Sequence, residues 1–125
     1  MITRTTLNNF YNDVLNQTKP VLAVFCASSC QLCDIVEPVL EGFASEFAGR
    51  VHFVRVDMDE TQELRALYEI NVRPTMVLFD DGWEVTRFTG PPNGVAIRDV
   101  LTKVAGPIES QDGGDLVKRL RQDVL

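Results

Sequence analysis

The sequence predicts an α/β fold: a mixed central β-sheet with helices on both faces, plus a further helix at the C-terminal end. Short β-rich runs carry the first part of this reading: VLAVFC at 21–26, VHFVRVD at 51–57 and TMVLF at 75–79. They alternate with stretches whose apolar residues recur at helical spacing, and such alternation implies parallel strands joined by right-handed crossovers. Asp81-Gly82 followed by WEVTRFTG signals a hairpin, which adds an antiparallel strand at one edge. The chain has 125 residues and a mass of 14.0 kDa, the size of one domain. A chain of this length buries about two-thirds of its unfolded surface, so it needs no disulfide staples to fold.

Each element has its own signal. From Thr5 to Gln17, Leu7, Phe10, Tyr11, Val14 and Leu15 share a helical face, with Thr5 or Thr6 as cap. Pro20 then introduces VLAVFC, an unbroken apolar run of the kind that forms a strand buried on both faces. Ile35, Val36, Val39, Leu40, Phe43 and Phe47 mark a helix that ends before Gly49 and carries Pro38 inside it. VHFVRVD is the next strand, and TQELRALYE at 61–69 places Leu64, Leu67 and Tyr68 at helical spacing. The turn-like NVRP leads into TMVLF and the return strand of the hairpin. From Asn93, Val95, Ile97, Val100, Leu101 and Val104 mark a further helix. Residues 1–105 are expected to form the domain and 106–125 an extension. Within that extension GPIESQDGG reads as a linker, and DLVKRLRQDVL as a helix capped by Asp115 with Leu116, Leu120 and Val124 in a stripe. The element order is α-β-α-β-α-β-β-α before this tail.

Composition removes several functional classes. Acidic residues outnumber basic ones 18 to 12, for a net charge of −6, so phosphate backbones are repelled on average and nucleic acid is not an expected partner. No apolar run approaches the ~20 residues that span a bilayer. MITRTTLNNFYNDVLNQTKP has neither an unbroken apolar core nor a small-residue cleavage site, so it does not read as a secretory signal. The expectation is a cytoplasmic protein with no membrane partner, and with thiols reduced at rest.

All three cysteines fall in FCASSCQLCD, 25–34. Cys30 and Cys33 lie between a predicted strand and a predicted helix, the setting in which C-x-x-C reads as a redox pair. Cys30 at the helix start faces free backbone N–H groups and the positive end of the helix dipole, which favour a thiolate. Cys33, one turn on, is placed to close a short disulfide with it. Asp34 opposes the effect: a like-charge i,i+4 pair costs about 0.2–0.5 kcal/mol. The helix terminus contributes roughly 0.3–1 kcal/mol, so the thiolate is still favoured. A metal reading would recruit Cys26 as well, but zinc wants a fourth ligand and the only histidine, His52, sits alone in a strand. The C-x-x-x-C-x-x-C spacing also occurs in radical iron–sulfur enzymes, which need a barrel larger than this chain. No metal and no cofactor are expected. Cys26, at the end of an apolar strand, reads as a buried inert thiol. Two small core residues without chemistry are the bland reading of Cys30 and Cys33, and their place at a helix start argues against it.

FCASSCQLCDIVEPVLEGFA, followed by VRPTMVLFDDG and FTG, resembles the thioredoxin family over residues 5–105. The resemblance implies a thioredoxin-like fold. It implies catalytic roles for Cys30 and Cys33, and a cis-proline at Pro74. Arg73, Pro74 and Thr75 would then form the turn beside the cysteines that binds an extended substrate. The departures are clear. The family commonly has W-C-G-P-C-K where this chain has Ser29-Cys30-Gln31-Leu32-Cys33-Asp34. The family's buried aspartate would fall at Val24 and its partner lysine near Phe53. Since that acid is thought to help deprotonate the second cysteine, its absence bears on turnover.

The resulting expectation is a thiol–disulfide oxidoreductase, a monomer. It would act on protein disulfides and draw electrons from an unidentified donor, either a reductase or a small thiol. The alternative is a binding or chaperone-like module on the same scaffold, with little or no redox turnover. A third reading, a metal or iron–sulfur carrier, would need metal bound to the purified protein.

Overall fold

The computed structural model describes residues 2–28 and 30–105. The predicted linker and tail helix lie outside the described residues. Five strands form one sheet: β1 (Ile2–Thr5), β2 (Val21–Cys26), β3 (His52–Asp57), β4 (Thr75–Asp80) and β5 (Trp83–Thr89). Their spatial order is β1-β3-β2-β4-β5. β3 pairs in parallel with β1 and β2, while β4 runs antiparallel to both β2 and β5. The helices are α1 (Gln31–Glu46), α2 (Gln62–Leu67) and α3 (Gly94–Ala105). The mixed α/β architecture is therefore the predicted one.

β2 explains why VLAVFC carries no polar residue. As the central strand it is buried at all six positions. Its alternate side chains feed two cores. Leu22, Val24 and Cys26 face α1 and α3, where they join Cys33, Val36, Leu40, Phe43, Ile97 and Leu101. Val21, Ala23 and Phe25 face the other side with Phe10, Val14, Val54, Leu64 and Phe79. Both faces of the sheet are thus covered by helical segments, as parallel strands require. α1 tolerates Pro38 in its interior, although proline removes one amide donor from the helix.

The N-terminal segment departs from expectation. The predicted helix over 5–17 is replaced by β1 and a single π-helical turn, Tyr11–Leu15. Only part of the apparent apolar stripe is used: Phe10 and Val14 are buried, whereas Leu7 and Tyr11 are exposed. β1 escapes notice because ITRT has no apolar run. It is a four-residue edge strand held by register with β3, Ile2 opposite Phe53 and Thr5 opposite Val56.

The β4–β5 hairpin forms as predicted. Asp81 and Gly82 both have positive φ, 55° and 83°, which is the type I′ requirement. A side chain at Gly82 would also press on the Leu15 carbonyl oxygen, 3.0 Å from where its Cβ would stand.

Candidate active site

The end of β2 and the start of α1 build the site. β2 delivers Cys26 into the core, and the chain then turns so that the Cys30 amide donates to the Ala27 carbonyl, 3.2 Å. Cys30 is the residue just before α1, with extended backbone (φ −96°, ψ 116°). Cys33 follows one turn later, its amide donating to the Cys30 carbonyl at 3.2 Å. Cys30 is half-exposed, whereas Cys33 and Cys26 are both buried, each 1% exposed.

The three thiols act on one another's protonation. The Cys33 thiol donates to Cys30, and that bond is the main reason the Cys30 pKa lies below its ordinary value. Amides of Cys33 and Leu32 and the positive charge of Arg73 act in the same direction. Asp34 is exposed in the first turn of α1, and Cys30 is lowered all the same. Burial raises the Cys33 thiol, and its donation to Cys30 raises it further; a bond from Cys26 and the amide-side contact at Ala27 offset part of this. Cys26 is raised most strongly, by burial and then by its bond to Cys33. The charge therefore rests on the outermost sulfur, with protons on the two beneath.

The predicted turn lies at the start of β4. The Arg73–Pro74 peptide is cis, as the resemblance implied. Arg73 is exposed and its charge reaches Cys30, while Pro74 and Thr75 are buried. The Thr75 hydroxyl donates to the Val72 carbonyl at 2.6 Å, and the Gly90 amide to the Pro74 carbonyl at 2.9 Å. Register sets Thr75 opposite Phe25, so this turn flanks the end of β2. Thr75 thus holds the turn from within, and Arg73 is the member of the trio that faces outward. An open cleft of about 390 Å³ adjoins it, lined in part by Met58, Asp59, Arg65, Ile70 and Arg73.

Beneath the cysteines there is no acid at Val24, which is 2% exposed in the core with Phe53. The resemblance puts the family's partner lysine near Phe53, which would leave this site without a cation, and the structure corrects that by two residues. The residue opposite Val24 is Arg55. Its side chain is 13% exposed and forms an ion pair with Glu37 of α1. Its charge acts on Cys26 and Cys33, and its Nε is buried without a hydrogen-bond partner among the described residues. Sequence reasoning missed this pair, although both signals were present. Glu37 stands four residues after Cys33 on α1, and Arg55 shares the face of Phe53 along β3.

Among the described residues no cluster of His, Cys, Asp and Glu is arranged to hold a metal ion, and no helix is long and apolar enough to cross a membrane. Residues 1–103 match the family model for thioredoxin. The chain is 38% identical over 89 residues to thioredoxin C-2 of Corynebacterium nephridii, covering 71% of this chain and 82% of that one. It is 36% identical over 96 residues to thioredoxin of Mycobacterium tuberculosis, covering 77% and 83%. A bifunctional thioredoxin reductase/thioredoxin of Mycobacterium leprae matches at 36% over 96 residues, 77% of this chain but 21% of that protein. The fold, the C-x-x-C at the start of α1, the cis-proline opposite β2 and these matches agree: the chain belongs to the thioredoxin family.

Proposed function

We propose that the protein is a thiol–disulfide oxidoreductase that acts on protein disulfides. The observation that carries this reading is the thiol cluster edged by a half-exposed Cys30, whose pKa is depressed by donation from Cys33. The Cys30 thiolate attacks one sulfur of a substrate disulfide and releases the other as a thiolate. A mixed disulfide results. Cys33 then loses its proton and attacks the Cys30 sulfur, so that the second substrate sulfur leaves and the Cys30–Cys33 disulfide forms. Two electrons pass to the substrate, and no cofactor is required at the site. Arg73 steadies the Cys30 thiolate and presents a cation to acidic substrates. The cis-Pro74 turn, held by Thr75, supplies the surface on which an extended chain rests. Residues 1–105 act as one domain and as a monomer in the cytoplasm. Electrons return from a reductase or a small thiol.

A Cys33→Ser variant tests the reading. It should accumulate proteins disulfide-linked to Cys30 in a native lysate, with adducts that dithiothreitol releases. The binding-module alternative draws on one observation, the apolar Val24 where an acid would assist Cys33. Under that alternative the same clients bind equally well to Cys30→Ser, and no adduct forms.

A further inference from the structure

We propose that Cys26 is a third redox-active thiol, which exchanges into the Cys30–Cys33 disulfide to give a buried Cys26–Cys33 disulfide and a free Cys30. The inference rests on the redox reading of Cys30 and Cys33 given above. Its basis is the grouping of the thiols. Cys26 and Cys33 lie in one buried cluster with Cys30 packed against its edge, and both other thiols act on Cys33. Thiol–disulfide exchange needs an attacking sulfur, a central sulfur and a leaving sulfur, and here the two buried thiols share a core whose edge holds the half-exposed Cys30. The fold holds them so. Cys26 ends β2 on the sheet face that α1 covers, and Cys33 packs down from α1 into the same core.

Electrostatics at the two ends favours this direction. Cys30 is the most acidic of the three sulfurs and therefore the best leaving group. At the other end, Arg55 places a mostly buried positive charge beside Cys26, with a donor nitrogen unused. Among the described residues it is the only basic one that acts on Cys26, and it offsets part of the penalty that burial imposes on a thiolate there. The step balances without a further reactant. Cys26 forms a bond to the Cys33 sulfur and its proton is released to solvent; the Cys30–Cys33 bond breaks, and Cys30 departs with the electron pair as a thiolate. Burial of the attacker makes the exchange slow, on the minutes-to-hours scale of uncatalysed rearrangement. Its consequence is distinctive. The oxidised protein keeps its disulfide away from solvent and a reactive Cys30 at the surface, able to form a mixed disulfide that Cys33 is no longer free to resolve.

The test uses the whole chain. Oxidise the reduced protein with one equivalent of diamide and hold it at neutral pH for several hours. Then add iodoacetamide without denaturant and read intact mass and fragment ions. The expected product is a chain that still holds one disulfide and carries one label, located on Cys30. Any such fraction supports the exchange. The inference is overturned if disulfide-bearing chains take no label until unfolded and then take it on Cys26 alone. A Cys26→Ala variant separates the two readings. It should form the Cys30–Cys33 disulfide and stay unlabelled. If it forms no disulfide, the redox pair itself is refuted. If it forms one while wild type labels only at Cys26, only the third-thiol inference fails. Should the variant not fold, the wild-type pattern alone decides.

Discussion

At the scale of single residues, the site divides its work by depth. Cys30 is half-exposed and pulled toward the thiolate by a bond from Cys33, while burial keeps Cys33 protonated. Alkylation of the two thiols, followed separately against pH, should therefore show Cys30 reacting first. Its midpoint should lie below the free-thiol value of about 8.5, and that of Cys33 above it. A faster Cys33 would reverse the roles. These assignments were legible in the sequence, because C-x-x-C between a strand and a helix fixes which thiol meets the free amides. What the sequence hid was the cation below. The spacing along β3 and α1 puts Arg55 and Glu37 on the facing sides of the two elements, but that Arg55 lies opposite Val24 follows only from the pairing register of β2 and β3. It alters what Val24→Asp should do. The new carboxylate would meet a guanidinium with an unused Nε and would not stand alone. The variant should still be less stable, by about 1–3 kcal/mol, since an acid replaces a packed valine. Placed beneath Cys33, it should speed the resolving step and leave the first attack by Cys30 nearly unchanged. Stopped-flow traces on a model disulfide that separate the two steps would check this. An unchanged resolving step in a folded variant would mean that Cys33 loses its proton by another route.

At the scale of elements, α1 and β3 are clamped by the Glu37–Arg55 pair next to the thiols. Glu37 is 38% exposed on its side chain and Arg55 only 13%, so the burden of burial falls on the cation. Glu37→Gln keeps an acceptor but removes the countercharge. It should cost about 1–2 kcal/mol, less than breaking a fully buried pair. The Arg55 charge, no longer balanced, should also act more strongly on the sulfurs beside it. The expected outcome is a protein that melts lower yet has a more acidic Cys33, read from melting curves and from the pH midpoint of Cys33 alkylation. A variant with lower melting and an unmoved midpoint would reduce the pair to a structural clamp. Elements differ in how clearly the sequence announces them. β2, β3, β4, α1 and α3 were readable because a buried face imposes a period on the residues that fill it. β1 was not, since an edge strand of four residues with two threonines and an arginine has no period to read. The helical spacing over 5–17 misled because Leu7 and Tyr11 match the stripe yet face solvent.

At the scale of the whole molecule, two electrostatic influences on substrate compete. The chain carries a net charge of −6, while the cation Arg73 acts directly on the reactive sulfur. Their ranges differ. A disulfide bearing two negative charges at ~20 Å from the molecular centre would meet a repulsion of roughly 2–3 kcal/mol in unscreened water. At physiological salt, with a Debye length of about 8 Å, that repulsion falls to roughly 0.2 kcal/mol. An anionic group about 5 Å from Arg73 gains roughly 0.8 kcal/mol unscreened, and about half survives the same salt. The sign of the preference should therefore depend on ionic strength. At low salt a cationic disulfide such as cystamine should react faster than glutathione disulfide, because the net charge dominates. As salt rises, the ratio of glutathione disulfide rate to cystamine rate should climb, as the long-range repulsion is screened before the local attraction. Arg73→Ala removes the local attraction, so its ratio should start lower and level off lower than that of wild type. The initial rate of Cys30 mixed-disulfide formation, measured for both reagents across a salt series, reads this directly. A ratio that does not move with salt would show that neither influence reaches the sulfur. A ratio that climbs identically in Arg73→Ala would leave the net charge as the whole effect and take Arg73 out of substrate selection.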